Sequence, residues 1–261
     1  FIILLLKQTY ESYHLILVDD GSTDGTSEMV SQNLPPEKLT IIRGKGNWYW
    51  GGSLHQAFKY LKRQFKKGDI NGESAIVIMN DDTEFAQDFL ERGISLLSKS
   101  EKHLLLAQSF FIQEKGKKYS QAAASMDWKK YKFTDPVVTG EEIQFLTTRG
   151  LFLRLKDFIT IGGFHPQWIP HYLSDYEFTY RAYRKGYKLS VMNELKVYEN
   201  EKTTRNNESV KKMNFLNKYF NKRNPLYFPA FFYFTLRWCP KKYLLKKIIW
   251  LIFAIITKKF E

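Results

Sequence analysis

The sequence predicts an α/β fold: an open, mostly parallel sheet with helices on both faces. Three observations predict it. Short aliphatic runs alternate with segments of helical period along the first 110 residues. Two of those runs, residues 14–18 and 75–79, end in acidic pairs, Asp19-Asp20 and Asp81-Asp82. The chain is 261 residues long, 44% hydrophobic and 26% charged, which suits one large core and excludes a disordered or collagen-like polymer. In open α/β sheets ligands sit outside the carboxyl ends of the strands, where both acidic pairs fall.

The elements follow in order. Residues 1–6 are an apolar run too short to span a bilayer and lacking the flanks of a signal peptide, so they are read as the interior of a helix. Residues 14–18 form a buried strand. Residues 26–34 form a helix that Pro35-Pro36 closes, and residues 39–43 a second strand. Leu54, Ala57, Phe58, Leu61 and Phe65 recur at helical spacing, which predicts a helix over residues 51–65. Residues 75–79 are a third strand. Phe89, Leu90, Ile94 and Leu97 mark the next helix, and residues 103–111 the next strand. Between residues 113 and 140 the pattern is polar and irregular, an antiparallel excursion or a loop. Residues 150–155 are strand-like, 156–162 a short helix, and 176–185 a helix, with strands near 189–192 and 195–198. After Glu199 the composition changes. A charged helix over residues 209–223 leads into a basic, aromatic segment.

The formal net charge is +13, which calls for an anionic partner such as nucleic acid, phospholipid or nucleotide phosphate. The single cysteine, Cys239, forms no internal disulfide and asks for no oxidising compartment.

Four runs carry chemistry. Val18-Asp19-Asp20-Gly21-Ser22-Thr23-Asp24-Gly25-Thr26 leaves a strand with two carboxylates, although Ser22, Thr23 and Asp24 are also ordinary helix-capping residues. Gly44-Lys45-Gly46-Asn47-Trp48-Tyr49-Trp50-Gly51-Gly52-Ser53 is a glycine-rich turn opening a helix, where backbone approaches a ligand and phosphate is favoured. Within it Trp48 and Trp50 either stack on a base or sugar or pack against the sheet. Asn80-Asp81-Asp82-Thr83 offers hard oxygen ligands to a dication. The fourth is a set: Thr148-Arg149-Gly150-Leu151-Phe152, Ile161-Gly162-Gly163-Phe164, and His171-Tyr172-Leu173-Ser174-Asp175-Tyr176-Glu177-Phe178.

Together these runs resemble family 2 glycosyltransferases of the non-processive bacterial type, which have the GT-A fold. The resemblance covers about residues 4–225. It implies that Asp19 and Asp20 contact the nucleotide base and ribose, and that the turn holding Asn47, Trp48 and Trp50 closes over the donor. It implies that Asp82 ligates Mg2+ or Mn2+ while Asp81 faces the donor. On the acceptor side it implies Gly150, His171 and Glu177 as binding residues and Asp175 as general base, so that displacement is direct and the anomeric configuration inverts. Many members carry Glu-Asp where this chain has Ser174-Asp175. Processive synthases of this type carry Gln-x-x-Arg-Trp. Here Phe234 stands where the glutamine would precede Arg237-Trp238, so addition of a single sugar is expected. Members normally open with a strand of the type Val-x-Val-Ile-x-Pro-x-x-Asn, whereas this chain starts inside the following helix. It is therefore read as a GT-A-like sheet without its first strand, in a truncated sequence or in a protein that lacks the strand.

The resemblance divides the chain into a glycosyltransferase domain over 1–208, with a nucleotide-binding half over 1–110 and an acceptor half over 111–208, and a C-terminal helical segment over 209–261. Residues 225–236 and 248–257 are uncharged, and Lys241, Lys242, Lys246, Lys247, Lys258 and Lys259 flank them. Each run is too short to span a bilayer, so the segment either lies in the membrane interface or packs on the domain with a solvated lysine face. Expected partners are a nucleotide-diphosphate sugar, a glycan or lipid-linked acceptor and a membrane surface. Nucleic acid is not expected, because no recognition motif accompanies the lysines. The expected role is surface-polysaccharide biosynthesis, with the protein peripheral on the cytoplasmic face of the plasma membrane. A nucleotidyltransferase of similar fold, and a non-catalytic sugar-nucleotide- or membrane-binding relative, are the competing readings.

Overall fold

The computed structural model describes residues 1–113, 116–200 and 214–257. After a short helix α1 (Ile2–Leu6), strands β1 (Leu15–Asp19) and β2 (Leu39–Arg43) pair in parallel, with α2 (Thr26–Asn33) as the crossover. Helix α3 (Tyr49–Lys67) follows, then β3 (Ala75–Ile78), β4 (Thr83–Phe85), α4 (Phe89–Ser98), β5 (His103–Gln113) and β6 (Gly116–Ser120). The irregular stretch contains β7 (Ala123–Asp127), β8 (Lys132–Thr134) and the one-turn helix α5 (Pro136–Thr139). Next come β9 (Phe145–Leu146), β10 (Leu151–Arg154), α6 (Leu155–Ile161), α7 (Ser174–Arg184) and β11 (Lys188–Asn200). The C-terminal part holds α8 (Phe215–Tyr219), α9 (Phe228–Trp238) and α10 (Lys241–Ile256). Of the charged helix expected over 209–223, residues 209–213 lie outside the described residues, as do Lys258 and Lys259. The described part is helical only in α8, whose first turn is capped by the Asn214 side chain accepting from the Asn217 N–H at 2.9 Å.

The α/β class holds, but the main sheet is mixed rather than mostly parallel. Its order is β3-β10-β5-β11-β4, with β6 added on β5. Among the described strands of this sheet only β5 and β11 run parallel; β10 is antiparallel to both neighbours, and β4 and β6 are antiparallel to theirs. Parallel neighbours need a long crossover, and β6 follows β5 through a hairpin too short for one. The strands expected near 189–192 and 195–198 are one strand, β11, whose register against β5 shifts between Met192 and Lys196.

Strand β5 is covered on both sides, which is why Leu104 to Ala107 reads as an unbroken apolar run. Leu104 and Leu106 join Leu151, Leu153, Phe158 and Phe178 in one core, while Leu105 and Ala107 join Phe152, Phe89 and Val197 in another. A third cluster, built on Phe145, Tyr180 and Phe234, docks α9 onto α7 and the β7–β8 hairpin. Helix α10 is held there too: the buried Lys247 Nζ donates to the Lys129 carbonyl at 2.8 Å.

Candidate active site

The carboxyl end of β1 delivers two aspartates that do different work. Asp19 is buried; its carboxylate accepts from the Ser22 N–H at 2.8 Å and from the Ser27 hydroxyl, so it fastens the loop that leads into α2. The Ser27 hydrogen bond, more than any other cause, holds its carboxyl below the usual aspartate range. Asp20 reaches across to the turn before α3. Its Oδ1 accepts from the N–H groups of Gly46 (2.9 Å) and Asn47 (3.2 Å), and its Oδ2 from those of Trp48 (2.7 Å) and Tyr49 (3.1 Å). One carboxylate thereby satisfies four main-chain donors at a helix start, where they have no intrahelical partner. The approach requires glycine. A Cβ on Gly44 would collide with Asp20 Oδ1, and one on Gly21, at φ 82°, would lie 2.8 Å from the Gly46 nitrogen. Replacing Asp20 by Ala is therefore expected to lower stability by about 3 kcal/mol, and by Asn by roughly half that, read by chemical denaturation.

The aromatics of the turn divide. Trp48 packs over Gly44 and Gly52, and Trp50 packs against the main core, so both take the packing role rather than stacking in the cleft. Asn47 is exposed and contributes its N–H to Asp20. Tyr49, between the tryptophans, is the side chain that lines the cleft, and it sits at φ 56°. Gly51 locks the helix start to the opposite half. Its N–H donates to the Pro170 carbonyl at 2.8 Å, and a Cβ there would lie 2.8 Å from the Ile169 carbonyl oxygen.

A cleft of about 510 Å³ opens over this turn. From the end of β3 it receives Asn80 and Asp82, while Asp81, exposed between them, is not among its lining residues. His171 and Tyr172 come from the loop before α7, Arg149 from the start of β10, Glu199 from the end of β11, and Arg223 from the segment after α8. Gly150 does not line the cleft. At φ 78° it packs inside the sheet, its N–H bonded to the Ile78 carbonyl at 2.9 Å and its missing Cβ leaving room for Ala107 and Val197. It turns the chain so that Arg149 projects into the cleft, where the guanidinium pairs with the buried Glu199 carboxylate. Burial pushes the Glu199 carboxyl up; Arg149 opposes that shift, and the nearby Asp82 charge adds to it.

Asp175, in the first turn of α7, sits one hydroxyl behind this wall. Thr148 Oγ1 makes a long hydrogen bond of 3.5 Å to its Oδ2 and itself accepts from the Trp50 indole N–H at 3.1 Å. Burial raises the Asp175 carboxyl above the ordinary aspartate value, with Arg149 the main opposing charge. The Trp50 N–H thus occupies one lone pair of the Thr148 hydroxyl and leaves the hydroxyl proton for Asp175. Trp50→Phe, which keeps most of the packing, is expected to lower turnover about fivefold with little change in KM.

Glu177 is placed elsewhere. Two residues beyond Asp175 on a helix is a rotation of roughly 200°, which carries it to the other side of α7. There it is fully buried, paired with Arg181 at 3.0 Å and His165 at 3.3 Å, and Arg181 also holds the Gly163 and Ile161 carbonyls. It braces α7 and does not reach the cleft.

Among the described residues no group of three or more His, Cys, Asp and Glu is arranged to hold a metal by itself. Mg2+ and Mn2+ need less, because one or two carboxylates complete their shell with substrate phosphates and water. The donor set fits that pattern. Asp82 is exposed to the cleft, and Asn80 Oδ1 and Glu199 Oε1 are buried at its wall with no hydrogen-bond partner among the described residues.

The sequence motifs give no role to Arg149, Glu199, Tyr49 or Arg223. Glu199 carried the same signal as the two aspartate pairs, an acid at the carboxyl end of an aliphatic run. Arg149 is adjacent to the glycine of its motif, and nothing local marks Arg223.

The chain matches the family model described as glycosyl transferase family 2 over residues 2–162, more than half its length. Solved structures share the fold. Staphylococcus aureus TarS 1–349 in complex with UDP-GlcNAc is 15% identical with a TM-score of 0.59, the match covering 90% of this chain and 60% of that one. GalNAc-T7 with UDP, GalNAc and Mn2+ is 13% identical with a TM-score of 0.60, covering 89% and 44%. A longer TarS structure is 18% identical with a TM-score of 0.54, covering 76% and 33%. The chain thus spans between a third and three-fifths of these proteins. No curated protein matches its sequence. The matched span contains both strand-end acidic pairs, the Asp20-clamped turn and the Arg149 wall of the cleft, and it places the chain in glycosyl transferase family 2.

Proposed function

We propose that the protein transfers one sugar, with inversion and metal dependence, from a nucleotide-diphosphate sugar to a glycan or lipid-linked acceptor in surface-polysaccharide biosynthesis. The supporting observation is the composition of the cleft. Three oxygen donors, from Asp82, Asn80 and Glu199, line the same cleft as two guanidinium groups, from Arg149 and Arg223, and Asp175 stands behind it across the Thr148 hydroxyl. A bound dication supplies neutralisation of the leaving diphosphate, worth several kcal/mol. Arg149 and Arg223 add forked donors suited to phosphate oxygens. Tyr49, with the Arg223 guanidinium 5.5 Å from its ring centroid, gives the wall a flat face for a base or sugar. Asp175 accepts the acceptor hydroxyl proton as that oxygen attacks the anomeric carbon and the bond to the diphosphate breaks. Attack opposite the leaving group inverts the centre. TarS with UDP-GlcNAc and GalNAc-T7 with UDP and Mn2+ support UDP-sugars as the first donors to test.

The test is nucleotide release from a panel of UDP-, GDP- and dTDP-sugars with Mn2+, with and without EDTA, followed by determination of the product anomer. Release from one donor, lost with EDTA and giving the opposite anomer, is the expected result. Metal-independent release or retained configuration overturns the mechanism. Silence across the panel from a folded chain overturns the transferase reading. We further propose that the protein lies peripherally on the cytoplasmic face of the plasma membrane, where nucleotide sugars and lipid-linked acceptors meet.

A further inference from the structure

We propose that the outward face of α10, with the basic residues around it, is a docking surface for an anionic lipid bilayer, on which the protein lies without being spanned. The helix is apolar on both sides. Lys247, Leu251, Ala254 and Ile255 are buried against the domain, with Leu251 fully inaccessible. On the opposite side Leu245, Ile249, Ile252, Phe253 and Ile256 fall within about 100° of arc and point outward, Leu245 72% and Phe253 60% exposed. A helix packed on its domain with a solvated lysine face would present charge here. This one presents five large apolar side chains, a patch soluble surfaces rarely keep uncovered. On the same side, at the N-terminal end of the stripe, stand the exposed Lys241, Lys242 and Lys246. Lysines at headgroup level beside aliphatic and aromatic side chains at the acyl boundary is the arrangement of an interfacial helix.

Charge identifies the occupant. From residue 209 to 260 the chain carries twelve Lys and Arg and no Asp or Glu, leaving only +1 of the formal +13 for all the rest. A second copy of this chain would set like charges against each other across the same face, whereas an anionic leaflet complements them. Insertion across the bilayer is not the geometry. The 16 residues of α10 extend about 24 Å against a hydrocarbon core of roughly 30 Å, and leaving the domain would strip the buried stripe of its packing. No helix among the described residues is long and apolar enough to cross a membrane. The same acid-free segment supplies Arg223 to the cleft. Granted the transferase reading above, docking on lipid favours the lipid-linked class of acceptor.

The test is co-sedimentation of the full chain with vesicles of phosphatidylcholine alone or with phosphatidylglycerol, without donor or metal, so that the result is independent of the transferase reading. Binding to anionic vesicles that weakens with salt is expected. The pair Ile249→Glu and Phe253→Glu, both outward and so compatible with the fold, is expected to weaken it at least tenfold, and Lys241→Glu with Lys242→Glu by roughly tenfold. Thermal unfolding and light scattering of each variant check fold and oligomeric state. Absence of vesicle binding, equal binding by the outward double variant, or self-association that the same substitutions abolish would each overturn the proposal.

Discussion

Asp175→Asn is expected to reduce sugar transfer by about three orders of magnitude while leaving nucleotide binding intact. The substitution preserves shape and can still accept from Thr148 and Ser174, so what it removes is the ability to take a proton. General-base catalysis is worth roughly 10²–10⁴ in rate. The working form is the carboxylate, so activity rises with pH. Because burial raises the carboxyl, the acid limb of the profile falls above the pH at which an exposed aspartate would titrate. Measurements of kcat against pH and of nucleotide affinity by calorimetry separate the possibilities. A variant whose donor affinity falls as far as its turnover would assign Asp175 to binding, and an unshifted acid limb would mean that burial does not set its titration.

Asp82→Ala is expected to lower metal-supported turnover about a thousandfold, the several kcal/mol that a dication contributes to a leaving diphosphate. Asp82 is exposed to the cleft, so thermal unfolding should hardly move. The decisive readout is binding: the gain in UDP affinity on adding Mn2+ should vanish. Asp81→Ala is the internal control. Its side chain is exposed and does not line the cleft, so both measurements should stay near those of the parent protein. Equal losses in the two variants would mean that the loop, rather than one carboxylate, carries the effect.

What could be read in the residues depended on whether a signal was local. Strand ends with acids, a glycine turn and helical periods are local, so β1, β2, α3 and β3 appear within a few residues of their expected bounds. The antiparallel placement of β10 between β3 and β5 is a long-range pairing, and Leu151–Arg154 reads the same in either direction. The side of α7 that carries Glu177 was open to helical geometry, as was its i+4 partner Arg181, whereas His165 joins them only through the fold. Asp19 and Asp20 looked alike as neighbours and diverge only because one is buried beneath its own loop while the other meets a turn 26 to 29 residues away. Arg223 reaches the cleft by tertiary packing alone.

The Asp20 clamp has a consequence for how such a cleft can change. Every donor it uses is a main-chain N–H, so once the glycines let the backbone approach, the hold on residues 47–49 does not depend on their side chains. Anchorage and wallpaper are separable. Position 49 can be redecorated without loosening what fastens it, and since Tyr49 sits at positive φ, Asn or Gly there should relax the backbone while clearing space over the cleft. The turn is a fixed frame with an exchangeable pane, and a change of sugar preference could begin with a single residue.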